Sequence, residues 1–158
     1  MGESHRKHGG SRKRTAKAKS TSVKKADYEA LAEFRYALRK FLAFSENAAS
    51  RAGLTPQQHQ VLLSIKGAPE TDWLSISQIA ERLLLRHHTA VELVDRLVAL
   101  GLVIRIADSE DGRRIQVHVT KDGEERLSAL SASHIEEVKN IQPTLRKLLK
   151  QFQRSGRE

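Results

Sequence analysis

Apolar positions along this chain recur at two periods. From about Val23 to Gly53, Leu31, Phe34, Leu38, Phe41 and Ala48 fall at helical steps, and Leu42 and Phe44 widen the stripe. That spacing predicts one long helix, about 26 residues, with a broad apolar face. Thr55-Pro56-Gln57-Gln58 opens a second helix. Thr55 caps it, Pro56 suits its first turn, and Gln58 completes a capping box. Val61, Leu62 and Ile65 give it an apolar face, Gly67 stops it, and the stretch from Gly67 to Trp73, holding Pro69, reads as loop. Ser75-Ile76-Ser77-Gln78 is a second capping box and predicts a short helix with Ile79, Ala80, Leu83 and Leu84 inward. A further helix runs to Leu100 with Ala90, Leu93, Val94, Leu97 and Val98 on one face, and Gly101 stands where a left-handed C-terminal residue belongs.

After Gly101 the period changes to two. Leu102-Val103-Ile104-Arg105-Ile106 is β-like, and Ile115, Val117 and Val119 alternate with Gln116, His118 and Thr120. The polar run Asp108-Ser109-Glu110-Asp111-Gly112-Arg113-Arg114 between them predicts a hairpin with an extended tip. Its carboxylates are read as solvated. Thr120 and Gly123 lead into a last helical region carrying Leu127, Leu130, Ile135, Val138, Ile141, Leu145, Leu148, Leu149 and Phe152, which Pro143 is expected to bend or divide.

The order of elements is helix, helix, short helix, helix, charged hairpin, helix. Two short helices across a tight connection form a helix-turn-helix, whose second member fits a major groove about 12 Å wide, and the hairpin is then a wing. The predicted fold class is mainly α with a small β-hairpin wing: a winged helix-turn-helix with N- and C-terminal dimerisation helices. Its winged module spans about 55–120, with flanking helices over about 23–52 and 121–153. Residues 1–22 and 154–158 read as tails. A single short chain has few elements on which to bury both outer apolar stripes. A second copy supplies the missing surface, whereas the alternative is that the stripes pack on each other within one chain.

Charge changes the picture less than the total suggests. The net charge is +9, but residues 1–25 hold nine Lys or Arg against Glu3 alone, a net of +8. The other 133 residues carry 19 basic and 18 acidic side chains, a net of +1. The basic character therefore belongs to a tail that is predicted to be disordered. Such a tail either neutralises nucleic-acid phosphates or is simply solvated. The sequence has no Cys, which removes disulfides, cysteine zinc sites and thiol redox sensing. No apolar run is long enough to span a membrane. No secretory signal is apparent, so a cytoplasmic, nucleoid-associated protein is expected. No Gly-rich phosphate loop, nucleophile elbow or paired-carboxylate motif is present, so neither an enzyme nor a cofactor is expected.

The stretch from Leu74 to Leu127 resembles the MarR family of bacterial transcriptional regulators. The residues that carry the likeness are Leu74-Ser75-Ile76-Ser77-Gln78-Ile79-Ala80-Glu81-Arg82-Leu83, Leu93-Val94-Asp95-Arg96-Leu97, Gly101-Leu102-Val103, the wing's Asp111-Gly112-Arg113, then Val119-Thr120 and Gly123. The long first helix and a closing helical pair also fit. The resemblance implies a homodimer that binds a pseudo-palindromic double-stranded DNA site, more often as repressor than activator. It also implies small anionic or phenolic effectors that weaken binding.

The same resemblance and a helical wheel give the expected DNA-contacting residues. On the recognition helix they are Arg86, His87, His88, Thr89, Val91, Glu92 and Arg96; on the wing they are Arg105, Asp111, Arg113 and Arg114. Arginine suits guanine, phosphate or a narrow minor groove, Glu92 accepts from cytosine N4, and Val91 suits a thymine methyl. Glu92 is equally placed to pair with Arg96. By resemblance Arg113 enters the groove, Asp111 orients it, and Arg105 contacts phosphate or pairs with Asp111. Where the family has Ser or Thr at the start of this helix, this chain has Arg86-His87-His88. Thr89-Ala90-Val91-Glu92 also fits a capping box, but the family register puts Thr89 inside the first turn. The resemblance places an effector site near Phe41, Phe44, His59, Trp73 and Arg51; core packing is the favoured reading of the two Phe, and Trp73 equally suits a residue that seals the core. His87 and His88 diverge by about 100° on a helix, and His59 and His134 lie far apart in sequence, so no metal is expected.

Overall fold

The computed structural model describes residues 23–109 and 111–155. The tail expected over 1–22 lies outside this range. Capping chemistry sets most element starts. Helix α1 (Lys25–Arg51) opens with Asp27 accepting from the Lys24 amide at 2.8 Å. Helix α2 (Pro56–Lys66) starts where Thr55 Oγ1 accepts from the Gln58 amide and Gln58 returns a bond to the Thr55 amide at 2.9 Å. The Ser75–Gln78 box repeats this geometry at helix α3 (Ile76–Arg82). Helix α4 (His87–Ala99) begins after Arg86, so Thr89 stands in its first turn and does not cap.

Strands β2 (Val103–Ala107) and β3 (Ile115–Val119) form the expected hairpin, with Val103 opposite Val119 and Ala107 opposite Ile115. A third strand stands where a loop was expected: β1 (Trp73–Ser75) pairs antiparallel with β3, giving the sheet order β1-β3-β2. A three-residue strand carries too little period to show in sequence; its partner more than 40 positions away defines it. Helix α5 (Lys121–Ser155) is continuous. Pro143 does not divide it, and a closing pair of helices becomes one helix that includes Arg154 and Ser155, expected in the tail. Proline lacks the N–H that would bond the Lys139 carbonyl, and both residues are exposed, so that carbonyl faces solvent.

The core belongs to the winged module. Val61, Leu62 and Ile65 of α2 are fully buried against Ile79, Ala90, Val94, Leu97 and Val117. Two residues expected inward are not. Val98 lies at the exposed margin of α4, and Leu84 is 92 % exposed with φ 55° in the α3–α4 turn. Leu83 and Leu85 pack against the core on either side of it.

Helices α1 and α5 run antiparallel. Gln151 donates to the Ala26 carbonyl at 3.0 Å, Phe34 meets Phe152 edge-on at 6.3 Å, and Ser45 meets His134 at 2.8 Å. What they bury along α1 is mainly small: Ala30, Ala37, Ala48 and Ala49. Leu31, Leu38, Leu42, Ile135, Val138 and Leu149 remain exposed, so the outer stripes are only partly satisfied within one chain.

One turn joins the module to α5. The Thr120 hydroxyl donates to the Gly101 carbonyl at 2.6 Å and accepts from the Gly123 amide at 3.2 Å. Gly101 adopts φ 69°, as its position at the end of α4 predicts. Gly123 packs so tightly that a Cβ there would collide with the Leu102 carbonyl oxygen and lie 2.7 Å from Val119 Cγ1.

Candidate nucleic-acid interface

The start of α4 is a hydrophilic ridge. Arg86, His87, His88, Glu92, Asp95 and Arg96 are exposed, while Thr89 and Val91 are half-buried at its margins. This follows from the helical period: Ala90, Leu93, Val94 and Leu97 turn into the core and leave the intervening positions to solvent. Glu92 and Arg96 form no ion pair, so the four-residue spacing is not used for one. Among the described residues, no ion pair engages Arg86, Arg96 or Arg113.

The wing tip is organised by its carboxylates. Asp111 Oδ1 accepts from the Arg113 amide at 3.1 Å, and the Asp111 carbonyl accepts from the Arg114 amide at 2.8 Å. Asp108 accepts from the Asp111 amide at 3.4 Å and from Gln116 Nε2 at 3.0 Å. Asp108 and Asp111 are therefore turn-forming residues and not merely solvated ones. Asp111 braces Arg113 through the main chain and leaves its guanidinium free of an ion pair.

Arg105 departs from expectation. Its guanidinium pairs with Asp95 of α4 (Nη1–Oδ1 2.6 Å) and reaches the Val91 carbonyl at 3.5 Å; it does not pair with Asp111. The alternation of β2 points Arg105 toward α4, whereas Asp111 lies at the far tip. Arg114 stacks over Trp73, with its Cζ 5.2 Å from the ring centroid. Arg113 and Arg114 then share one depression of about 440 Å³ with His87, Ser75, Ile76, Ser77 and Ile115. Wing, α4 and the start of α3 thus meet at one concave surface.

The expected effector residues divide. Phe41, Phe44 and His59 converge on His134, with ring-centroid separations of 6.2, 5.4 and 4.7 Å. Trp73 is elsewhere, on the wing sheet beside His118 at 6.5 Å, because β1 carries it away from α1. Arg51 lines a separate shallow depression with Ala48, Ala52, Ala129, Leu130 and Ser133. His134 donates from Nδ1 to the Leu130 carbonyl at 2.7 Å, and its Nε2 is hydrogen-bonded with the Ser45 hydroxyl at 2.8 Å. His59 is buried and its Nδ1 has no partner among the described residues. Burial, and then the charge of a protonated His134, push its pKa below the ordinary histidine value. Separation in sequence hid this pair; the antiparallel register of α1 and α5 brings Ser45 and His134 together over α2.

These features define a winged helix-turn-helix protein. Residues 52–114 match the MarR family model. The chain has the fold of MarR-family transcriptional regulators. It superposes on AbsC, a MarR family regulator from Streptomyces coelicolor, with a TM-score of 0.64 at 18 % identity, covering 75 % of this chain and 80 % of that one. A mutant of MepR from Staphylococcus aureus, bound to an oligodeoxyribonucleotide, gives 0.60 at 21 % identity, covering 79 % and 97 %. A probable transcriptional regulator from Pseudomonas aeruginosa gives 0.55 at 29 % identity, covering 75 % and 92 %. No curated protein matches the sequence significantly.

Proposed function

We propose that this protein is a sequence-specific double-stranded-DNA-binding transcriptional regulator, a repressor acting as a homodimer on a pseudo-palindromic operator. It is a binding protein and not an enzyme. The observation that carries the reading is the shared surface of His87, at the start of α4, and Arg113 and Arg114 of the wing. A helix end and an arginine-bearing wing on one side of a module suit a major groove and the backbone or minor groove beside it. Two such modules require a second copy, and the exposed apolar residues of α1 and α5 supply a surface for it. A small anionic or phenolic effector that opened the Phe41–Phe44–His59 packing would change the spacing of the modules and release the DNA.

The test is selection of bound fragments from genomic DNA with the full chain at physiological salt. A palindromic motif is the expected result. Uniform coating would instead support an architectural protein driven by its basic tail, and no retention would support a winged helix that binds protein. Removing residues 1–22 is expected to weaken binding to all sequences alike and to flatten its salt dependence. Sedimentation at micromolar concentration is expected to show a dimer.

A further inference from the structure

The polar groups lining the depression between wing and α4 are all hydrogen-bond donors. Ser75 and Ser77 contribute hydroxyls, His87 an imidazole, and Arg113 and Arg114 guanidinium groups; Ile76 and Ile115 complete it. Among the described residues, no carboxylate takes part. Ser75 Oγ already accepts from the Gln78 amide at the start of α3, which leaves its hydroxyl hydrogen to donate. Donors and fixed positive charge without a counter-charge select an anion. The mouth of this depression is continuous with the ridge of α4.

Arg114 is held at this site in an unusual way. Among the described residues it forms no ion pair; its guanidinium lies over the indole of Trp73, which is half-buried in β1 and backed by His118 of β3. The Arg114 backbone is fixed at both ends, its amide to the Asp111 carbonyl and its carbonyl to the Asp108 amide at 2.9 Å. A stacked arginine keeps its edge donors free, because the ring engages only the face of the guanidinium plane. An acidic partner would have consumed those donors.

We propose that this depression seats one DNA backbone phosphate and that Trp73 is a positioning residue, holding the Arg114 guanidinium in place for it. The proposal rests on the DNA-binding reading above. Each phosphate neutralised adds about 0.9 to the log–log salt slope of binding. Arg114→Ala and Trp73→Leu are expected to lower that slope by about one and to weaken binding about fivefold at physiological salt, equally for operator and unrelated DNA. Trp73→Phe keeps an aromatic face and is expected to retain the wild-type slope. A purely structural role for Trp73 would not separate Phe from Leu in this way. Arg114 is exposed, so its replacement tests the seat even if Trp73→Leu fails to fold.

Trp73 is the only tryptophan, which makes its emission a local probe. Adding duplex DNA to the wild type is expected to change that emission saturably, and the Arg114→Ala variant is expected to lose most of the change. Inorganic phosphate at constant ionic strength is expected to give no saturable change at millimolar concentration. Saturation by inorganic phosphate, with emission insensitive to DNA, would overturn the seat in favour of a free-anion site. An unchanged salt slope in Arg114→Ala, in a protein that binds DNA, overturns the seat alone. Absence of any DNA binding by the wild type overturns both the seat and the function it rests on.

Discussion

Arg105 reaches from the first wing strand to Asp95 on α4, closing a 2.6 Å ion pair between the two parts of the proposed DNA-binding surface. Both side chains are partly exposed, so the pair adds little to global stability. A double-mutant cycle with Asp95→Ala and Arg105→Ala, read by urea unfolding, is expected to give a coupling of about 0.2–1 kcal/mol. The larger effect is expected on specific DNA affinity, since either replacement unties wing from helix. Wild-type DNA affinity in both single variants would refute the tether.

Arg113 has a fixed main chain and a guanidinium that forms no ion pair among the described residues. Arg113→Ala is expected to cost about 1–3 kcal/mol of site-specific binding, measured against the selected operator at physiological salt. Thermal stability should stay within about 0.5 kcal/mol of wild type, as for an exposed surface position.

Gly123 is fixed by sterics and not by backbone angle. Gly123→Ala forces a methyl group into the Leu102 carbonyl and Val119, at the joint between wing and α5. The expected cost is about 1–3 kcal/mol, seen as a Tm lower by several degrees. An unchanged Tm would show that the joint yields.

Leu84 presents the opposite case. Its left-handed backbone costs about 1–2 kcal/mol, and its exposed side chain returns no packing. Glycine removes that strain and adds about 0.5–1 kcal/mol of unfolded-state entropy cost. Leu84→Gly is therefore expected to stabilise the protein by about 0.5–1 kcal/mol. A lower unfolding midpoint in urea would contradict this.

His59 links stability to pH. Its folded pKa lies below the ordinary value of 6.5. Above that value both folded and unfolded chains hold it neutral, and it contributes no pH dependence. As pH falls below 6.5, the unfolded chain takes up a proton that the folded chain refuses, so stability declines until the lower folded pKa is passed. Urea unfolding between about pH 7.5 and 5 should show this slope, and His59→Leu should flatten it.

Local chemistry was legible in the sequence, and contacts across the fold were not. Thr55–Gln58, Ser75–Gln78 and Gly101 each act within four residues, and each appears as its spacing predicts. β1 exists only through β3, and Arg105 chooses Asp95 only once the wing lies against α4. His134 reaches His59 only through the register of α5 over α1 and α2. Leu84 misleads because an apolar residue at helical spacing normally faces inward, whereas the chain here has already left the helix to turn toward α4.

The clamp at Thr120 gives α5 a mechanical character. Its first turn is bonded to the end of α4 through Gly101 and wedged against Leu102 and Val119. A helix of this length extends about 50 Å beyond that point, at about 1.5 Å per residue. A tilt of about five degrees at the clamp therefore moves its far end by about 4 Å. Read in reverse, a displacement imposed where Phe152 meets Phe34 is geared down before it reaches the wing. The wing is thus the short arm of a lever whose long arm lies among the exposed apolar residues of α1 and α5.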